Sequence, residues 1–599
     1  MAHDYISMRN LRFTLHEMLD AENLNRFEYF QDYDKASMDM ALSAAEQIGD
    51  TYLFPIFREM DKNKAYYKDG EVQVHPGLKK AILALAEGGW IGAPDDYEME
   101  GQQMPYTLLN AGVLTFYAAN ANAAAYAFLT QGAARLIRAF GSEALNQAFI
   151  PQMYSGAWQG TMALTEPQAG SSLSDITSSA TPSGNGHYKI KGQKIYISGG
   201  DHTGVDNVVH LMLARIDGAP QGTKGISLFV VPKKRMEEGA LVSNDVTTAG
   251  IYGKMGQKGY VAAHLMMGEK EDCHGYLVGQ PHKGLRYMFQ MMNEARIGTG
   301  ILSAGTASAA YYASLKYANE RPQGRHPGNK DLTQAPVLII EHADVRRMLL
   351  YQKAVVEGSI SLLLYCSYLA DVEQAAEGKE KEDAHLLLEL LTPIAKSYPA
   401  EWGTQSVSMA MQVLGGAGYT DDFPVEQYYR DIRVNAIYEG TTTIHGMDLL
   451  GRKVTMAEGK AMTLMMTKLK ALLEEAGQIP ELAPFAAKLG KAAQALHKTT
   501  MELIQIAMKE GAKAFLADAT IYLECFSIIT IAWQWMEQAL VAHKALPNAE
   551  GDSERHFYEG KIQTFKYYFE YELPKTRGLI AVLATKEQVT LSTQPEHLV

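Results

Sequence analysis

Hydrophobic residues recur with a helical period at both ends of the chain, whereas the middle carries short β-rich runs. Residues 1 to about 160 predict mostly helices. The Ala-rich run 118–125 indicates that some pack closely, because small side chains let helix axes approach. Between about 161 and 284, glycine, serine, threonine and aspartate separate the short runs. This part is predicted to be a compact β domain inserted between helical regions.

Three segments of the middle part carry the clearest strand patterns. Residues 208–214 and 226–231 are rich in β-branched and aliphatic side chains, which favours one strand in each. Residues 188–197 contain Gly192 between two such runs and predict a strand, a turn and a second strand.

Helical periodicity returns near residue 285 and runs to about residue 411, before a glycine-rich break at 415–418. The first apolar positions of this region are Leu285, Met288, Phe289 and Met292. After about residue 450, a further helical block continues to the end of the sequence. Its first helix places five apolar side chains on one face: Met462, Met465, Met466, Leu469 and Leu473.

Length and composition indicate a soluble protein of several domains. A chain of 599 residues is too long for one ordinary core, so about two to four domains are expected. Its 47% hydrophobic and 21% charged residues are typical of soluble globular proteins. The most apolar stretch, 525–536, is too short to span a bilayer and predicts a buried helix, so we expect no integral membrane association. We see no secretory signal at the N-terminus.

Charge and cysteine content narrow the possible partners. A formal net charge of −13 argues against nucleic acid, since binding a phosphate backbone requires clustered lysine and arginine. Cys273, Cys366 and Cys525 are far apart and form no C-x-x-C pair. Neither a disulfide framework nor a metal site is suggested, and a reducing, cytoplasmic compartment is expected.

The strongest chemical pattern is the segment 430–441, R-D-I-R-V-N-A-I-Y-E-G-T. Packing against Ile437 and Tyr438 would raise the pKa of Glu439 toward neutrality, which suits a general base. Gly440 allows a tight turn and a close approach of a ligand to the backbone. On the local sequence alone, a glutamate that caps a glycine-ended helix is an equally good interpretation.

Two further segments border the predicted β domain. Residues 164–172, L-T-E-P-Q-A-G-S-S, supply hydroxyls and a glycine that suit hydrogen bonds to a flat polar ring or a phosphate. Residues 194–200, K-I-Y-I-S-G-G, predict a strand that ends in a turn. Taken alone, the first is an ordinary surface turn and the second is a plain hairpin edge.

Together these segments resemble the acyl-CoA dehydrogenase family. Its members carry T-E-P-x-A-G-S, a K-x-W-I-T-N-G-like strand, a G-G-x-G-Y loop and R-D-x-x-x-x-x-I-Y-E-G-T, in that order. Here the four occupy residues 165–171, 194–200, 415–419 and 430–441. The resemblance covers roughly residues 38–450. The C-terminal extension is similar to that of the large bacterial branch, which includes 3-methylmercaptopropionyl-CoA dehydrogenases and broad-range fatty-acyl-CoA dehydrogenases.

The resemblance implies an α+β, mainly α, acyl-CoA dehydrogenase fold with an extra helical domain. The implied domains, in chain order, are an N-terminal extension (1–37), an N-terminal α domain (38–160), a central β domain (161–284), a C-terminal α domain that carries the base (285–450) and an additional helical domain (451–599).

The resemblance also implies a role for each matching residue, with Glu439 as the catalytic base and no metal. Residues implied to contact FAD are Met162, Leu164, Thr165, Ser171, Tyr196, Ile197, Ser198, Arg321, Gln412, Gly415, Gly416, Thr441 and Thr443. Those implied to contact the acyl-CoA are Ser171, Asn293, Arg296 and Gly440. Arg321 would reach the FAD pyrophosphate of the neighbouring subunit.

Four positions depart from the family pattern. Asn293 stands where the family has Asp, Ser172 where Asp commonly follows the motif serine, and Tyr196 where many members have Trp. Arg325 replaces a different residue after the turn that contains Arg321, so we expect that loop to differ.

The implied reaction removes an α proton and a β hydride from a fatty-acyl or related thioester and gives the trans-2-enoyl-CoA. Glu439 would take the proton, FAD the hydride, and electron-transferring flavoprotein the electrons. An oxidase of the same family, which uses oxygen, is the nearest alternative. A DNA-binding flavoprotein of the alkylation-response type is a further one. Residues 451–599 contain 17 Lys and Arg and 17 Asp and Glu, so they lack the positive excess that this role needs.

The extension also bears on assembly. An apolar helix face must be covered, and the surface available is the one that shorter relatives use to join their dimers. We therefore expect the extension to pack on the body and the protein to be a homodimer.

Overall fold

The N-terminal region of the computed structural model is helical, as predicted, with one small hairpin. The structure describes residues 4–329, 331, 333–585 and 588–599, and only the backbone of 289–293. The helices are α1 (Met8–Arg12), α2 (Lys35–Ile48), α3 (Phe57–Lys62), α4 (Gly77–Glu87), α5 (Tyr106–Phe140) and α6 (Glu143–Tyr154), and the hairpin is β1 (Tyr66–Lys68) and β2 (Glu71–Gln73). Asn120 interrupts α5, and its side chain accepts from Ala123 N–H at 3.2 Å, as a helix cap does.

The middle of the chain forms an eight-stranded sheet and a separate hairpin. The strands are β3 (Trp158–Ala163), β4 (Ser179–Pro182), β5 (Tyr188–Ser198), β6 (Asn207–Ile216), β7 (Ile226–Pro232), β8 (Lys234–Glu237), β9 (Ala240–Ser243), β10 (Val246–Ile251), β11 (Ala262–Met267) and β12 (His274–Leu277). The sheet order is β10-β11-β5-β12-β7-β6-β3, with β4 beside β5 and β6, while β8 and β9 form the hairpin. β3 and β4 run parallel to β6. The predicted strands 208–214 and 226–231 lie in β6 and β7.

The prediction of a strand, a turn and a strand at residues 188–197 is wrong. The segment is one strand, β5, whose first half pairs with β4 and whose second half pairs with β11. Gly192 is needed for a close approach rather than a turn, because an added Cβ would lie 2.2 Å from Ser178 Oγ. Local sequence does not distinguish these two uses of glycine.

Five helices follow the sheet: α7 (Gly284–Glu320), α8 (Ala343–Ala375), α9 (Gly378–Leu414), α10 (Val425–Ile432) and α11 (Thr442–Asp448). α5, α7, α8 and α9 pack against one another. Gly305 of α7 lies against the Ala-rich run of α5, where an added Cβ would come within 3.0 Å of the Ala118 nitrogen. Among the described helices, only α8 is long and apolar enough to cross a membrane. Of the 18 residues in its most apolar stretch, 83% are buried inside the protein.

The C-terminal extension consists of α12 (Met456–Ala476), α13 (Ala483–Glu510), α14 (Ala512–Phe515), α15 (Ala519–Ala545), α16 (Gly551–Tyr567), α17 (Thr576–Leu583) and α18 (Val589–Ser592). It packs on the helical body, as predicted. α12 buries Met462, Met465 and Leu469 and contacts α9 and α13. The predicted buried helix at 525–536 lies in α15, which contacts α8, α9 and α11. The domain boundaries inferred from the sequence stay predictions.

A buried polar cluster also joins the extension to the body. Lys561 of α16 donates to Glu357 Oε2 of α8 at 2.8 Å and to Gln538 Oε1 of α15 at 2.7 Å. It also bonds Asn10 of α1. The N-terminal and C-terminal extensions therefore meet beside Glu357 of α8.

Candidate active site

Glu439 lies in a left-handed turn just before α11. Glu439 has φ 53° and Gly440 has φ 85°, and we call this pair the 439–440 turn. Left-handed backbone costs a non-glycine residue about 1–2 kcal/mol, so neighbouring contacts must hold it. Nε2 of His445 lies 3.0 Å from Glu439 O, and Nζ of Lys396 donates to Gly440 O at 2.8 Å. Side chains thus hold two successive carbonyls of the turn.

The surroundings of Glu439 favour a carboxylate that can gain and lose a proton. Burial raises the pKa of Glu439, while the positive charges of Arg296 and Lys396 oppose that rise. Arg296 is itself paired with Asp448, at 3.2 Å. Burial lowers the pKa of His445 to about 3, so the ring is neutral at pH 7 and Nε2 carries the proton. The Glu439 carboxylate accepts no hydrogen bond from the described residues, which disfavours the helix-capping interpretation.

The first two residues of the 430–441 segment, Arg430 and Asp431, anchor it to three other parts of the chain. Arg430 forms two hydrogen bonds with the Asp61 carboxylate of α3, at 2.9 and 2.6 Å. Asp431 accepts from Asn122 Nδ2 of α5 at 2.9 Å and from the Gln257 N–H that precedes β11. Bidentate and charge-assisted bonds of this kind are the strong ones. They set the position from which the 439–440 turn begins.

A group of tyrosines connects the end of β5 to the residue before Glu439. Burial, Tyr126 and Tyr438 raise the pKa of Tyr260, and a hydrogen bond with Ser198 opposes that rise. Tyr126 Oη accepts from Val261 N–H at 3.0 Å. Tyr260 therefore lies between Ser198 of the sheet and Tyr438 of the 430–441 segment.

The structure also brings the segments 164–172 and 194–200 together. Lys194 and Glu166 form an ion pair at 2.8 Å, with side chains that are 0% and 1% exposed. Lys194 Nζ also donates to Leu164 O at 3.0 Å, and Ile195 N–H donates to Thr165 O at 2.9 Å. The pair therefore fixes Thr165 beside the strand that carries residues 196–198.

Several predicted site residues of this region remain partly accessible to solvent. Four predicted site residues are partly exposed: Met162, Leu164, Thr165 and Ser198. Ile197 is buried. Tyr196 is 58% exposed, has φ 59°, and places its ring 4.3 Å from that of Tyr252.

A second group of predicted residues lies where α7 and α9 end. Arg321 is exposed directly after α7, and Gln412, Gly415 and Gly416 are exposed at the end of α9 and just beyond it. Tyr317 and Phe423 pack edge to face at 5.4 Å and hold the two ends together. An added Cβ at either glycine would meet no described atom within 4 Å, so a ligand can approach this backbone closely.

Ser171 lies in a groove of about 630 Å³ on the β region and the first turn of α7. The other lining residues are Leu173, Thr223, Lys224, His282, Leu285 and Arg286. The side chains of Lys224, Arg286 and His282 make this groove suitable for an anionic group.

Residues after the 439–440 turn contact the C-terminal extension. Thr441 is the residue before α11, and its side chain forms no capping hydrogen bond with that helix. Thr443 accepts from Thr520 Oγ1 of α15 at 3.4 Å. An added Cβ at Gly446 would lie 2.6 Å from Ala519 O, so α11 and α15 are in close backbone contact. The side chain of Asn293 lies outside the described residues.

Comparison with known proteins gives three matching family models in chain order. They are the acyl-CoA dehydrogenase middle domain at residues 161–268, the acyl-CoA dehydrogenase C-terminal domain at 282–454 and the acetyl-CoA dehydrogenase C-terminal-like model at 465–594. A butyryl-CoA dehydrogenase of Syntrophomonas wolfei is 32% identical over 100% of both chains. A 3-methylmercaptopropionyl-CoA dehydrogenase of Ruegeria pomeroyi is 33% identical over 91% of this chain and 93% of its own.

The chain belongs to the acyl-CoA dehydrogenase family. It is therefore an oxidoreductase that acts on the CH–CH group of an acyl-CoA, and the family resemblance seen in the sequence is confirmed.

Solved structures show the same fold, including the extension. An acyl-CoA dehydrogenase of Bacillus anthracis complexed with FAD has a TM-score of 0.73 at 19% identity, over 94% of this chain and 91% of its own. ACDH-11 of Caenorhabditis elegans in complex with C11-CoA has a TM-score of 0.72 at 20% identity, over 94% and 90%. The predicted acyl-CoA dehydrogenase fold with an extra C-terminal helical region is confirmed.

FAD is the cofactor of this family, and the residues present fit it. Thr165 and Ser198 are partly exposed, and their hydroxyl groups suit the polar edge of a flavin ring. The exposed Arg321 guanidinium suits a pyrophosphate, and the open glycine backbone at 415–416 suits close contact with a nucleotide.

Several residues that hold this acyl-CoA dehydrogenase site together belong to none of the sequence motifs. Lys396 is one of them, although a single charged residue in the otherwise uncharged run 390–400 is a usable indication of a special role. Gln257 and Tyr260 carry no such pattern, because their partners Asp431 and Tyr438 lie far along the chain.

Proposed function

We propose that this enzyme catalyses FAD-dependent α,β-dehydrogenation of an acyl-CoA thioester to the trans-2-enoyl-CoA. Glu439 is the base, and electron-transferring flavoprotein in the cytoplasm takes the electrons. The observation that carries the proposal is the 439–440 turn, which holds a carboxylate of raised pKa between two cations. A raised pKa makes the carboxylate a stronger base, and a catalytic pKa nearer the working pH favours proton transfer.

Removal of the α proton requires the thioester carbonyl to be polarised at the same time. In the part of the chain that the structure describes, the backbone N–H groups of Glu439 and Gly440 donate to no protein acceptor. An N–H held in a rigid turn can stabilise negative charge on a carbonyl oxygen, and it needs no reorganisation to do so. We assign the Glu439 N–H to this role, beside the carboxylate that takes the proton.

FAD, when bound, supplies the acceptor for the β hydride. Met162, Leu164, Thr165, Tyr196, Ile197 and Ser198 would hold its ring, and Thr441 and Thr443 would contact its phosphate side. Arg321, Gln412, Gly415 and Gly416 would hold the adenine and pyrophosphate half of the cofactor of a neighbouring copy. These residues form two separate groups in one chain, which supports sharing of the cofactor between two subunits.

The groove around Ser171 is the proposed entrance for the acyl-CoA. Its lysine, histidine and arginine suit the phosphate groups of coenzyme A. The buried position of Arg296 beside Glu439 and Asp448 supports a role within the site, in addition to the substrate contact inferred from the resemblance.

Replacement of the base tests the proposal directly. Purified protein should be yellow, with about one FAD per chain, and an anaerobic panel of straight, branched and sulfur-containing acyl-CoAs should bleach the flavin absorbance. Glu439→Gln should keep FAD and bind acyl-CoA but fail to reduce the flavin, since an amide does not accept the proton. Bleaching within about tenfold of wild type, a barrier change of only about 1.4 kcal/mol, would exclude Glu439 as the base.

Glu524→Gln is the matched control. Glu524 of α15 is a partly buried carboxylate whose pKa is also raised, chiefly by burial, but the charges that act on it are those of Lys575 and Glu401 rather than of Arg296 and Lys396. This variant should reduce flavin at the wild-type rate.

The oxidase alternative is tested in the same samples. Reduced enzyme should be reoxidised much faster by electron-transferring flavoprotein than by oxygen, and the reverse order would favour the oxidase.

A further inference from the structure

A buried lysine lies directly behind the proposed base. Lys396 of α9 is 0% exposed, and its Nζ donates to Gly440 O at 2.8 Å. Among the residues that the structure describes, no carboxylate forms an ion pair with it. Burial of an ammonium group without an ion-pair partner is unfavourable, so this lysine costs stability that a simple apolar residue would not.

The charged and titratable groups around Lys396 belong to the site. Burial lowers the pKa of Lys396 to about 8; the carboxylates of Glu439 and Glu401 oppose that change, and the guanidinium of Arg296 adds to it. His445 of α11 faces the same space and is neutral. Lys396 therefore carries its charge at pH 7, and Glu439 is one of the two carboxylates that stabilise that charge.

The hydrogen bond of Lys396 also restrains the backbone. A trans peptide unit is planar, so a bond to its carbonyl fixes the orientation of the whole unit. His445 holds the unit after Glu439, and Lys396 holds the unit after Gly440. Together they fix both peptide planes that follow the base and oppose relaxation of its left-handed φ.

We propose that Lys396 is a positioning residue for the base: its hydrogen bond holds the 439–440 turn, and its positive charge favours the ionised form of the Glu439 carboxylate. The inference rests on the proposed role of Glu439. It assigns the cost of burying Lys396 to catalysis rather than to packing.

Flavin reduction in the holoenzyme measures both effects. The rate with saturating acyl-CoA would be followed anaerobically from about pH 5 to about pH 9. Lys396→Met should lower the rate at pH 7 by about 100-fold, because small displacements of a catalytic group have effects of this size. The acid limb of its pH profile should move to higher pH, since loss of a nearby positive charge raises the pKa of a carboxylate. Lys396→Arg keeps the charge and a donor, so its acid limb should stay at the wild-type pH.

Lys561→Met is the control for loss of a buried lysine. Lys561 is also 0% exposed, and its pKa is also lowered to about 8, chiefly by burial, but it lies on α16 outside the site. The acid limb of the pH profile of Lys561→Met should lie at the same pH as that of the wild-type enzyme. An unmoved limb in Lys396→Met would overturn the proposal, whatever the rate. If Lys396→Met does not fold or loses FAD, the proposal is tested with Lys396→Arg alone. A displaced acid limb in the pH profile of Lys396→Arg would contradict the proposed role of the charge.

Glu439→Gln distinguishes failure of this inference from failure of the proposed function. If Glu439→Gln reduces flavin, the base has been assigned wrongly. If Glu439→Gln is inactive while the limb of Lys396→Met stays in place, Glu439 is the base and Lys396 has only a packing role.

Discussion

Removal of Lys194 should loosen the part of the β region that holds Thr165. The ion pair between Lys194 and Glu166 is almost fully buried. Lys194→Met would leave the Glu166 carboxylate buried and uncompensated. It would still accept from the backbone N–H groups of Thr177 and Ser178, at 2.7 and 3.2 Å.

The structure sets the size of this effect. Burial alone would raise the pKa of Glu166, but Lys194 and the hydrogen bonds overcome burial and hold it at about 2. The difference from the ordinary value of 4.5 corresponds to about 3 kcal/mol of stability at neutral pH. Burial lowers the pKa of Lys194 to about 8, so the intact pair adds little net stability. Removal of one partner of a buried ion pair costs about 3–5 kcal/mol, because the other charge remains buried. For Lys194→Met we expect a loss of stability of about 3 kcal/mol.

Amide hydrogen exchange at Ile195 is a suitable assay, because this N–H donates to Thr165 O at 2.9 Å. It reports local opening without assuming two-state unfolding of a chain with several domains. Exchange in Lys194→Met should be roughly 100-fold faster than in wild type. Lys194→Met/Glu166→Gln should recover most of the protection, since a neutral amide replaces the stranded charge.

The pH dependence has a definite sign. Because the folded-state pKa of Glu166 is lowered, its stabilising contribution is fully present above about pH 4.5 and is lost as the pH falls toward about 2. Lys189→Met, at an exposed position on the same strand, is the control and should leave exchange unchanged. Exchange in Lys194→Met within about threefold of wild type, or a double variant no better protected than the single one, would refute the reasoning.

Two further predictions concern the C-terminal extension. Because α12, α15 and α16 cover α8 and α9, light scattering should give a homodimer with twice the 66.0 kDa of one chain; a tetramer would contradict this. Gly446→Ala should push α11 away from Ala519 O and disturb the His445 contact with the 439–440 turn, which should slow flavin reduction by about 100-fold with FAD retained. A wild-type rate in that variant would show that the extension does not support the site.

The sequence by itself determined the features that depend on neighbouring residues. Runs of β-branched and aliphatic residues predicted the strands at 208–214 and 226–231, and the helical spacing of apolar residues predicted the buried face of α12. The order of the four motifs was sufficient to recognise the family. Gly440 indicated a tight turn after Glu439, because glycine accepts positive φ at little cost.

Only the tertiary structure decided which distant side chains hold that turn. Lys396 and His445 approach Glu439 from two helices, and Asp431 meets Gln257 across the boundary between helices and sheet. Such contacts follow from how elements pack, and one sequence contains no periodicity that encodes them. Gly192 shows the same limit, since a turn and a close approach need the same residue. Local patterns therefore drew attention to Glu439 as a candidate base, and packing supplied its charge environment.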